Sequence, residues 1–340
     1  MTSVTDARSL PIPPEFRDAL RGLGMIGASD HPVGTPLTGG VSSDVWRVDL
    51  AGGAVCLKRA LPKLKVAADW RAPTERAGWE ARWLRMAGAT LAPRVLRAFD
   101  ERTGVLVLDW LDPHTHPVWK GELASGRVDP AFAAAVGRSL AALHAAGARE
   151  TLAEWEAARP LFETLRISPY LRATAERRDE YGPLIGGVVD SLTRAAVTVV
   201  HGDVSPKNIL VGPSGPVFLD AECASPGDPA FDLAFCLNHL VLKGVWLPAL
   251  RDDLHSAAAQ LLAAYLSAVT WESAPDVLRR TLVLLPALAL ARVDGVSPVE
   301  YLSEDRGRPE VRRAAVDLLA TPAHTLDEHL SRWSTYTTKD

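Results

Sequence analysis

A short polar run near the middle of the chain limits the possible folds more than any other feature. Residues 201–208 read His-Gly-Asp-Val-Ser-Pro-Lys-Asn, and a short apolar strand at residues 217–219 leads to Asp220. A carboxylate such as Asp203 can orient or deprotonate an attacking hydroxyl, while the amide oxygen of Asn208 and the carboxylate of Asp220 are hard ligands that Mg²⁺ prefers. The spacing therefore predicts a centre for metal-assisted phosphoryl transfer, with Asp203 as the catalytic base and the other two residues on the metal.

The composition of the whole chain argues against several other classes of function. The 340 residues carry 37 basic and 41 acidic side chains, for a net charge of −4, so no basic surplus indicates a nucleic-acid partner. The three cysteines are far apart and lack metal-ligand spacing, which favours reduced, buried thiols. Residues 1–20 lack a signal-peptide pattern, and the longest apolar stretch is interrupted by Pro286 and too short to span a membrane. We therefore expect a cytoplasmic protein with no membrane partner.

The periodicity of apolar residues predicts an α+β fold in two lobes. Strands are expected at residues 45–50, 54–58, 93–98 and 104–110, and further short strands near 197–220. Helices are expected at residues 14–23, 73–88, 130–146, 151–180, 183–195, 230–242, 250–268, 275–291 and 309–331. The chain therefore divides into a small antiparallel-sheet lobe at residues 1–110, with its first 20 residues loosely held, and a larger, mainly helical lobe at residues 111–340.

Lys58 and Glu80 form a candidate ion pair in the first lobe. Lys58 ends a predicted strand, and Glu80 lies on the helix that follows, between the inward-facing Trp79 and Trp83. A carboxylate would position the flexible lysine so that its charge meets nucleotide phosphates. Glu75 is the competing partner, and Glu80 is preferred because of its apolar neighbours.

A glycine-rich segment precedes the hairpin of the first lobe. Residues 37–45 read Leu-Thr-Gly-Gly-Val-Ser-Ser-Asp-Val, so Gly39, Gly40, Ser42 and Ser43 could offer backbone N–H groups and hydroxyls to phosphates. A plain hairpin turn is the alternative, because Gly-Gly is common in turns. The chain contains no GxxxxGK[ST] motif, which excludes a Walker A loop.

Three motifs together resemble one protein family. His201-Gly202-Asp203 is followed by Asn208, then by the segment Leu219–Glu222, and then by Gly-Asp-Pro-Ala-Phe-Asp-Leu-Ala at residues 227–234. This pattern resembles the aminoglycoside phosphotransferase and choline kinase-like family, which has the protein-kinase-like fold. The resemblance extends over roughly residues 35–300.

The resemblance implies a bilobal kinase that binds ATP, or alternatively GTP, between its lobes together with Mg²⁺. It implies that Lys58 contacts the nucleotide phosphates and that Asp203 is the catalytic base. It also places Asn208 and Asp220 on the metal. The segment that would hold the nucleotide base is Asp109, Trp110 and Leu111.

Some residues depart from the family pattern or are better read as structural. Ser205 replaces a histidine that many relatives carry, and Ala221 follows Asp220 where protein kinases have the Phe of Asp-Phe-Gly. Lys207 is expected to be solvated, since a loop lysine is usually at the surface, although it could stabilise the transferring charge. Asp232 is expected to brace the catalytic loop by accepting N–H bonds, and His201 to be a buried hydrogen-bonding residue rather than a base.

The phosphate acceptor is a small molecule with a hydroxyl group, which the sequence does not identify. The candidate acceptor residues are Glu222, Asn238, His239, Arg292, Asp294 and Tyr301. Too few carboxylates are available, beside Arg292 and Lys207, for a strongly acidic pocket, so a sugar, amino sugar or amino alcohol is at least as well favoured as an aminoglycoside. Arg166 could bind an anionic acceptor. The alternatives to such a kinase are a nucleotide-binding pseudokinase and, less favoured, a protein kinase.

Overall fold

The computed structural model describes residues 9–37, 40, 42–63, 65 and 71–337. The chain forms two compact units, Met1–Asp112 and Pro113–Asp340. Each unit is described by itself below. In the described part of the chain, no helix has both the length and the apolar character needed to cross a bilayer.

The first unit is built on a six-stranded antiparallel sheet. Its strands are β1 (Leu10–Pro11), β2 (Val33–Pro36), β3 (Ser43–Leu50), β4 (Gly53–Ala60), β5 (Leu96–Asp100) and β6 (Val105–Asp109), in the spatial order β1-β2-β3-β4-β6-β5. The predicted hairpin is confirmed as β3 and β4, which pair from Leu50 opposite Gly53 to Ser43 opposite Ala60. Gly53 has a φ of 104°, a value that glycine adopts without steric penalty in so tight a turn.

Two helices accompany this sheet, α1 (Pro14–Gly22) and α2 (Arg76–Thr90). The buried face of α1 carries Phe16 and Leu20, which pack on the sheet residues Val48, Val55 and Val107. Alternate residues of each strand point to the same face, so this side of the sheet forms the apolar core of the unit.

The second unit is mainly helical. Its helices are α3 (Trp119–Ala124), α4 (Pro130–Gly147), α5 (Arg159–Phe162), α6 (Ala173–Arg177), α7 (Gly182–Arg194), α8 (Pro229–Trp246), α9 (Arg251–Leu266), α10 (Ala274–Asp294), α11 (Arg308–Ala320) and α12 (Leu326–Thr337). Two short antiparallel pairs join β7 (Thr198–Val200) to β10 (Ser225–Gly227) and β8 (Ile209–Gly212) to β9 (Gly215–Phe218). Helix α8 is buried along almost its whole length, between α9 and α10.

Two predicted helices are wrong in their continuity. The helix expected at residues 151–180 is broken into a 3-10 helix (Leu152–Ala158), α5, a π-helical segment (Glu163–Arg172) and α6. Pro169 lies inside the π-helical segment, and its missing N–H is incompatible with a regular α-helical ladder. The helix expected at residues 309–331 ends at Ala320 and restarts at Leu326, because Pro322 follows its end.

Helices α4 and α9 approach closely at Gly137. A Cβ atom placed on Gly137 would lie 2.2 Å from the backbone oxygen of Leu261, a distance that no packed structure tolerates. The contact therefore depends on the absence of a side chain at this position.

We predict that Gly137→Ala destabilises the protein, because the new methyl group forces α4 and α9 apart. Overpacking of this kind costs about 1–3 kcal/mol in unfolding free energy. Gly186→Ala is the matched control, since Gly186 lies on the exposed side of α7 with no atom within 4 Å of an added Cβ. That control should gain up to about 1 kcal/mol from helix propensity. Urea denaturation followed by circular dichroism measures both, and equal midpoints would contradict the prediction.

Candidate active site

The segment that follows β7 makes a sharp, buried turn. Gly202 has a φ of 78°, in the left-handed region that favours glycine. A Cβ atom there would lie 2.8 Å from the Cβ of Cys223 and 2.9 Å from its backbone oxygen, so the two backbone segments can meet only at a glycine. The turn leaves Asp203 buried, with 3% of its surface exposed.

Asp232 holds this turn by accepting two backbone hydrogen bonds. The N–H of His201 donates to Oδ2 of Asp232 at 2.7 Å, and the N–H of Gly202 donates to Oδ1 at 2.8 Å. Asp232 lies in the first turn of α8 and is fully buried. Nε2 of His144 lies 3.2 Å from Oδ2, and Nδ1 of that ring is 2.7 Å from the Tyr265 hydroxyl. The bracing role predicted for Asp232 is thus confirmed.

His201 is a neutral hydrogen-bonding residue inside the turn. Its Nδ1 accepts the N–H of Asp203 at 3.1 Å, so its Nε2, 3.1 Å from the backbone oxygen of Leu219, is the donor. Burial lowers the pKa of His201 and outweighs the opposing effect of the Asp232 carboxylate. The ring therefore links both ends of the loop and has no free nitrogen to act as a base, as the sequence predicted.

The carboxylate of Asp203 forms ion pairs with two basic side chains. Its Oδ2 lies 2.9 Å from Nη2 of Arg166 and 3.1 Å from Nζ of Lys207. Burial alone would raise the pKa of Asp203, but Arg166 and then Lys207 outweigh it, and the net pKa is lowered. Lys207 is 55% exposed, as expected of a loop lysine, and its ammonium also pairs with Asp203, which raises its pKa. The carboxylate is therefore ionised at neutral pH.

Arg166 comes to this site from the π-helical segment. Its side chain is 7% exposed, and its Nε donates to the backbone oxygen of Gly202. The guanidinium lies 5.8 Å from the ring centroid of Tyr170. The sequence singled out Arg166 for an anionic acceptor, whereas the structure places it against Asp203 and the turn itself.

Asn208 and Asp220 present oxygen atoms of the kind a divalent cation requires. Nδ2 of Asn208 donates to the backbone oxygen of Asp203 at 3.0 Å, which leaves its Oδ1 as the side-chain acceptor. Asp220 follows β9 and has a φ of 68°, a strained conformation for a residue with a side chain. The Asp220 charge acts to raise the pKa of Asp203, so the two carboxylates are electrostatic neighbours. An amide oxygen and a carboxylate fit Mg²⁺, which commonly keeps water and phosphate as its other ligands.

The first unit holds the predicted lysine–glutamate pair. Nζ of Lys58, on β4, lies 2.8 Å and 2.7 Å from the two carboxylate oxygens of Glu80 on α2. Both residues are buried, at 7% and 2% exposure. The structure thus brings Glu80, and not Glu75, to Lys58, and the contact of Lys58 with phosphates stays a prediction.

The glycine-rich segment is anchored by a residue that sequence reasoning missed. The fully buried guanidinium of Arg76 donates to the backbone oxygens of Ser42 at 2.6 Å and Leu61 at 2.8 Å. Ser42 and Ser43 are buried and Gly40 is exposed, while Gly39 lies outside the described residues. The available signal was an arginine on the apolar side of a predicted helix.

The predicted base-holding segment lies at the end of β6. Nε of Arg97 donates to Oδ1 of Asp109 at 2.6 Å. The guanidinium of Arg47 stands 4.9 Å from the ring centroid of Trp110, and both Trp110 and Leu111 are half-buried. Their contact with a nucleotide base stays a prediction.

A cavity of about 200 Å³ in the second unit is lined by Asp203. Of the candidate acceptor residues, His239, Arg292 and Tyr301 line it. Glu222 and Asn238 are buried outside its lining. Asp294 is also outside: it forms a bidentate ion pair with Arg312, at 2.6 Å and 2.9 Å, because both belong to packed helices. The structure therefore does not bring Glu222, Asn238 or Asp294 to this cavity.

Three charged residues of the cavity were missed by sequence reasoning: Lys120, Lys243 and Glu300. Lys243 is 1% exposed on α8, and burial lowers its pKa to about 8. The available signal was a single lysine in an otherwise apolar helical stretch. Asp203 and Glu300 are the carboxylates of the cavity, and they are outnumbered by its cationic side chains, so the cavity is not acidic.

Most of the chain matches a known protein family. Residues 33–274 match the model of the phosphotransferase enzyme family, known as APH. The chain belongs to this family. The resemblance stated from its motifs is thereby confirmed.

Individual relatives of the chain are distant. A methylthioribose kinase of Escherichia coli O45:K1 is 25% identical over 233 residues, which are 58% of this chain and 54% of that protein. The chain thus matches about half the length of this curated relative. A choline/ethanolamine kinase family protein of Mesorhizobium loti is similar in structure, with a TM-score of 0.53, 20% identity and coverage of 94% and 99% of the two chains. An ethanolamine kinase of Plasmodium vivax gives a TM-score of 0.55, 12% identity and coverage of 95% and 87%. These structures confirm the α+β, protein-kinase-like fold.

We predict that Asp232→Asn lowers the unfolding free energy by about 2–3 kcal/mol. The asparagine amide has one oxygen, so its NH₂ group would face one of the two backbone N–H donors that Asp232 now accepts. A buried donor left without an acceptor costs about 2–3 kcal/mol. The control is Asp276→Asn, an exposed carboxylate near the start of α10. Urea midpoints compare the two variants, and an Asp232→Asn midpoint equal to that of the control would contradict the prediction.

Proposed function

We propose that the protein is a small-molecule kinase that transfers the γ-phosphoryl group of ATP to an acceptor hydroxyl. The observation that carries this proposal is the bond between the Asn208 side chain and the Asp203 backbone. It fixes an amide oxygen relative to an ionised carboxylate, and a second carboxylate, Asp220, is close enough to influence its pKa. Phosphoryl transfer depends on the positioning of such groups more than on their basicity.

Asp203 orients the acceptor hydroxyl. Its lowered pKa keeps it ionised and makes it a hydrogen-bond acceptor rather than a strong base. That suits a reaction whose transition state develops little charge on the attacking oxygen. Lys207, paired with Asp203, adds a cation where the phosphoryl oxygens would approach.

Asn208 and Asp220 would hold Mg²⁺. A bound divalent ion neutralises charge on the nucleotide phosphates. In the first unit, Lys58 would bind the phosphates, oriented by its buried ion pair with Glu80.

The charge of the cavity narrows the acceptor. The sequence left open sugars, amino sugars, aminoglycosides and amino alcohols. A cavity lined by more cations than carboxylates disfavours the positively charged members of that set, since like charges in a partly buried site repel. A hydroxylated molecule without excess positive charge, such as a sugar, is the favoured acceptor, and the distant methylthioribose kinase relative supports this choice.

We predict that Asp203→Asn lowers kcat by about 10²-fold or more, because the amide cannot accept the hydroxyl proton in the same way. ADP release with ATP and Mg²⁺ across sugars, amino sugars, aminoglycosides and amino alcohols measures it. Asp190→Asn, on the exposed side of α7, is the matched control and should behave as the wild type. A wild-type kcat in Asp203→Asn would contradict the proposal. Nucleotide binding without ADP release for any acceptor would favour a pseudokinase instead. Phosphorylation of generic protein substrates would favour a protein kinase.

We also predict that Arg166→Met moves the acidic limb of the pH profile of kcat/KM to higher pH. Arg166 is the largest of the influences that lower the pKa of Asp203, so its removal raises that pKa and protonates the carboxylate at less acidic pH. Arg172→Met, which removes a half-exposed arginine of the same segment, is the control and should leave the limb in place. An unshifted limb in Arg166→Met would show that the ion pair does not govern Asp203.

A further inference from the structure

The cavity that Asp203 lines has an excess of positive charge. Its walls carry four cationic side chains and two carboxylates: Lys120, Lys207, Lys243, Arg292, Asp203 and Glu300. A second cavity of about 410 Å³ adjoins it and shares Lys120, Lys243, Glu300 and Tyr301. The surplus of cations is therefore a property of the whole recess.

Both carboxylates of the cavity already have partners. Asp203 is paired with Arg166 and Lys207, and Glu300 is paired with Lys120. Lys243 and Arg292 form no salt bridge with any carboxylate in the described part of the chain. Their positive charges are therefore not balanced by a carboxylate among the described residues, and a bound anion could balance them.

Lys243 is the more deeply buried of these two residues. It is 1% exposed, and its Nζ has no hydrogen-bond partner among the described residues. The ammonium instead lies 5.1 Å from the ring centroid of Trp246 and 4.8 Å from that of Tyr301. Two aromatic faces stabilise a cation only in part, and burial lowers its pKa to about 8, with Lys120 acting in the same direction and Glu300 against it. Burying such a lysine unpaired costs stability.

Arg292 lines the same cavity, and hydrogen bonds to Ser297 position its guanidinium. Its Nη1 donates to the backbone oxygen of Ser297 and lies 3.2 Å from the Ser297 hydroxyl, while its Nε has no partner in the described chain. The guanidinium lies 5.7 Å from the ring centroid of Tyr170. The hydroxyl of Tyr301 is also buried without a hydrogen-bond partner among the described residues. Two cations and one hydroxyl, with three unused donor atoms among them, thus line one recess.

We infer that the acceptor of the proposed kinase carries an anionic oxygen group, a carboxylate or a phosphate ester, which Lys243 and Arg292 bind while its hydroxyl meets Asp203. This inference rests on the proposed function. Carboxylates and phosphates match the geometry and charge of ammonium and guanidinium donors. The cavity of about 200 Å³, together with the adjoining one of about 410 Å³, has room for a hydroxy acid, a sugar acid or a phosphorylated sugar.

Titration calorimetry with probes of one carbon skeleton tests the inference. The full chain, without nucleotide, is titrated at pH 7 with glucose, gluconate, glucose 6-phosphate and glucosamine. We expect at least one of the two anions to bind about tenfold or more tighter than glucose, and glucosamine to bind weakest. Comparison of gluconate with glucose 6-phosphate tells a carboxylate acceptor from a phosphate ester.

Variants identify the group that binds. Lys243→Met should lose about tenfold or more in affinity for the anions, yet show a higher Tm, because it removes an unpaired buried charge at nearly constant volume. Lys243→Gln, polar but uncharged, should lose the same affinity. The control Arg313→Met, at an exposed site on α11, should change neither. Near pH 8, anion binding should also draw a proton onto Lys243, seen as a buffer-dependent heat that is absent from Lys243→Met.

The outcomes separate this inference from the kinase proposal. Equal binding of all four probes, tightest binding of glucosamine, or unchanged anion affinity in the Lys243 variants would overturn the anion site. ADP release with neutral acceptors alone, together with any of those results, would leave the kinase standing. Anion binding through Lys243, retained in Asp203→Asn but with no ADP release from any acceptor in the wild type, would support the anion site and overturn the kinase.

Discussion

The site depends on one contact: the buried carboxylate of Asp232 accepts hydrogen bonds from two backbone N–H groups. The turn at Gly202 directs the N–H groups of His201 and Gly202 into the protein, where water cannot satisfy them. A fully buried carboxylate in the first turn of α8 meets both donors and also gains from the positive end of the helix. The position of Asp203 is therefore set by a helix and not by the loop alone.

A carboxylate paired with two cations could still serve in the proposed phosphoryl transfer. Arg166 and Lys207 make Asp203 a poor base, which would be a defect in proton abstraction from carbon. In phosphoryl transfer the hydroxyl needs alignment, and its proton leaves late. Arg166 also binds the backbone oxygen of Gly202, so the same guanidinium fixes both the charge of the carboxylate and the turn that carries it.

The contacts that could be predicted within each unit are those whose residues lie near one another in sequence or in a short pattern. Asp203 and Asn208 are five residues apart, and the Lys58–Glu80 pair spans one strand and the next helix. Arg166 and Lys243 could not be placed in the same way, since their roles arise from chain segments that meet only in the folded protein. The broken helix after residue 151 could have been foreseen in part, because Pro169 marks it.

Helix α8 connects the turn at Gly202 to the recess. Asp232, Phe235, His239 and Lys243 follow one another at intervals of three or four residues, which places them along one side of the helix. Asp232 fixes the turn at one end, and Lys243 stands in the last turn, where the helix dipole favours a cation. At 1.5 Å per residue the two lie about 16 Å apart along the axis. Because a buried helix does not change its length, α8 fixes the position of Lys243 in the recess relative to the carboxylate that braces the turn.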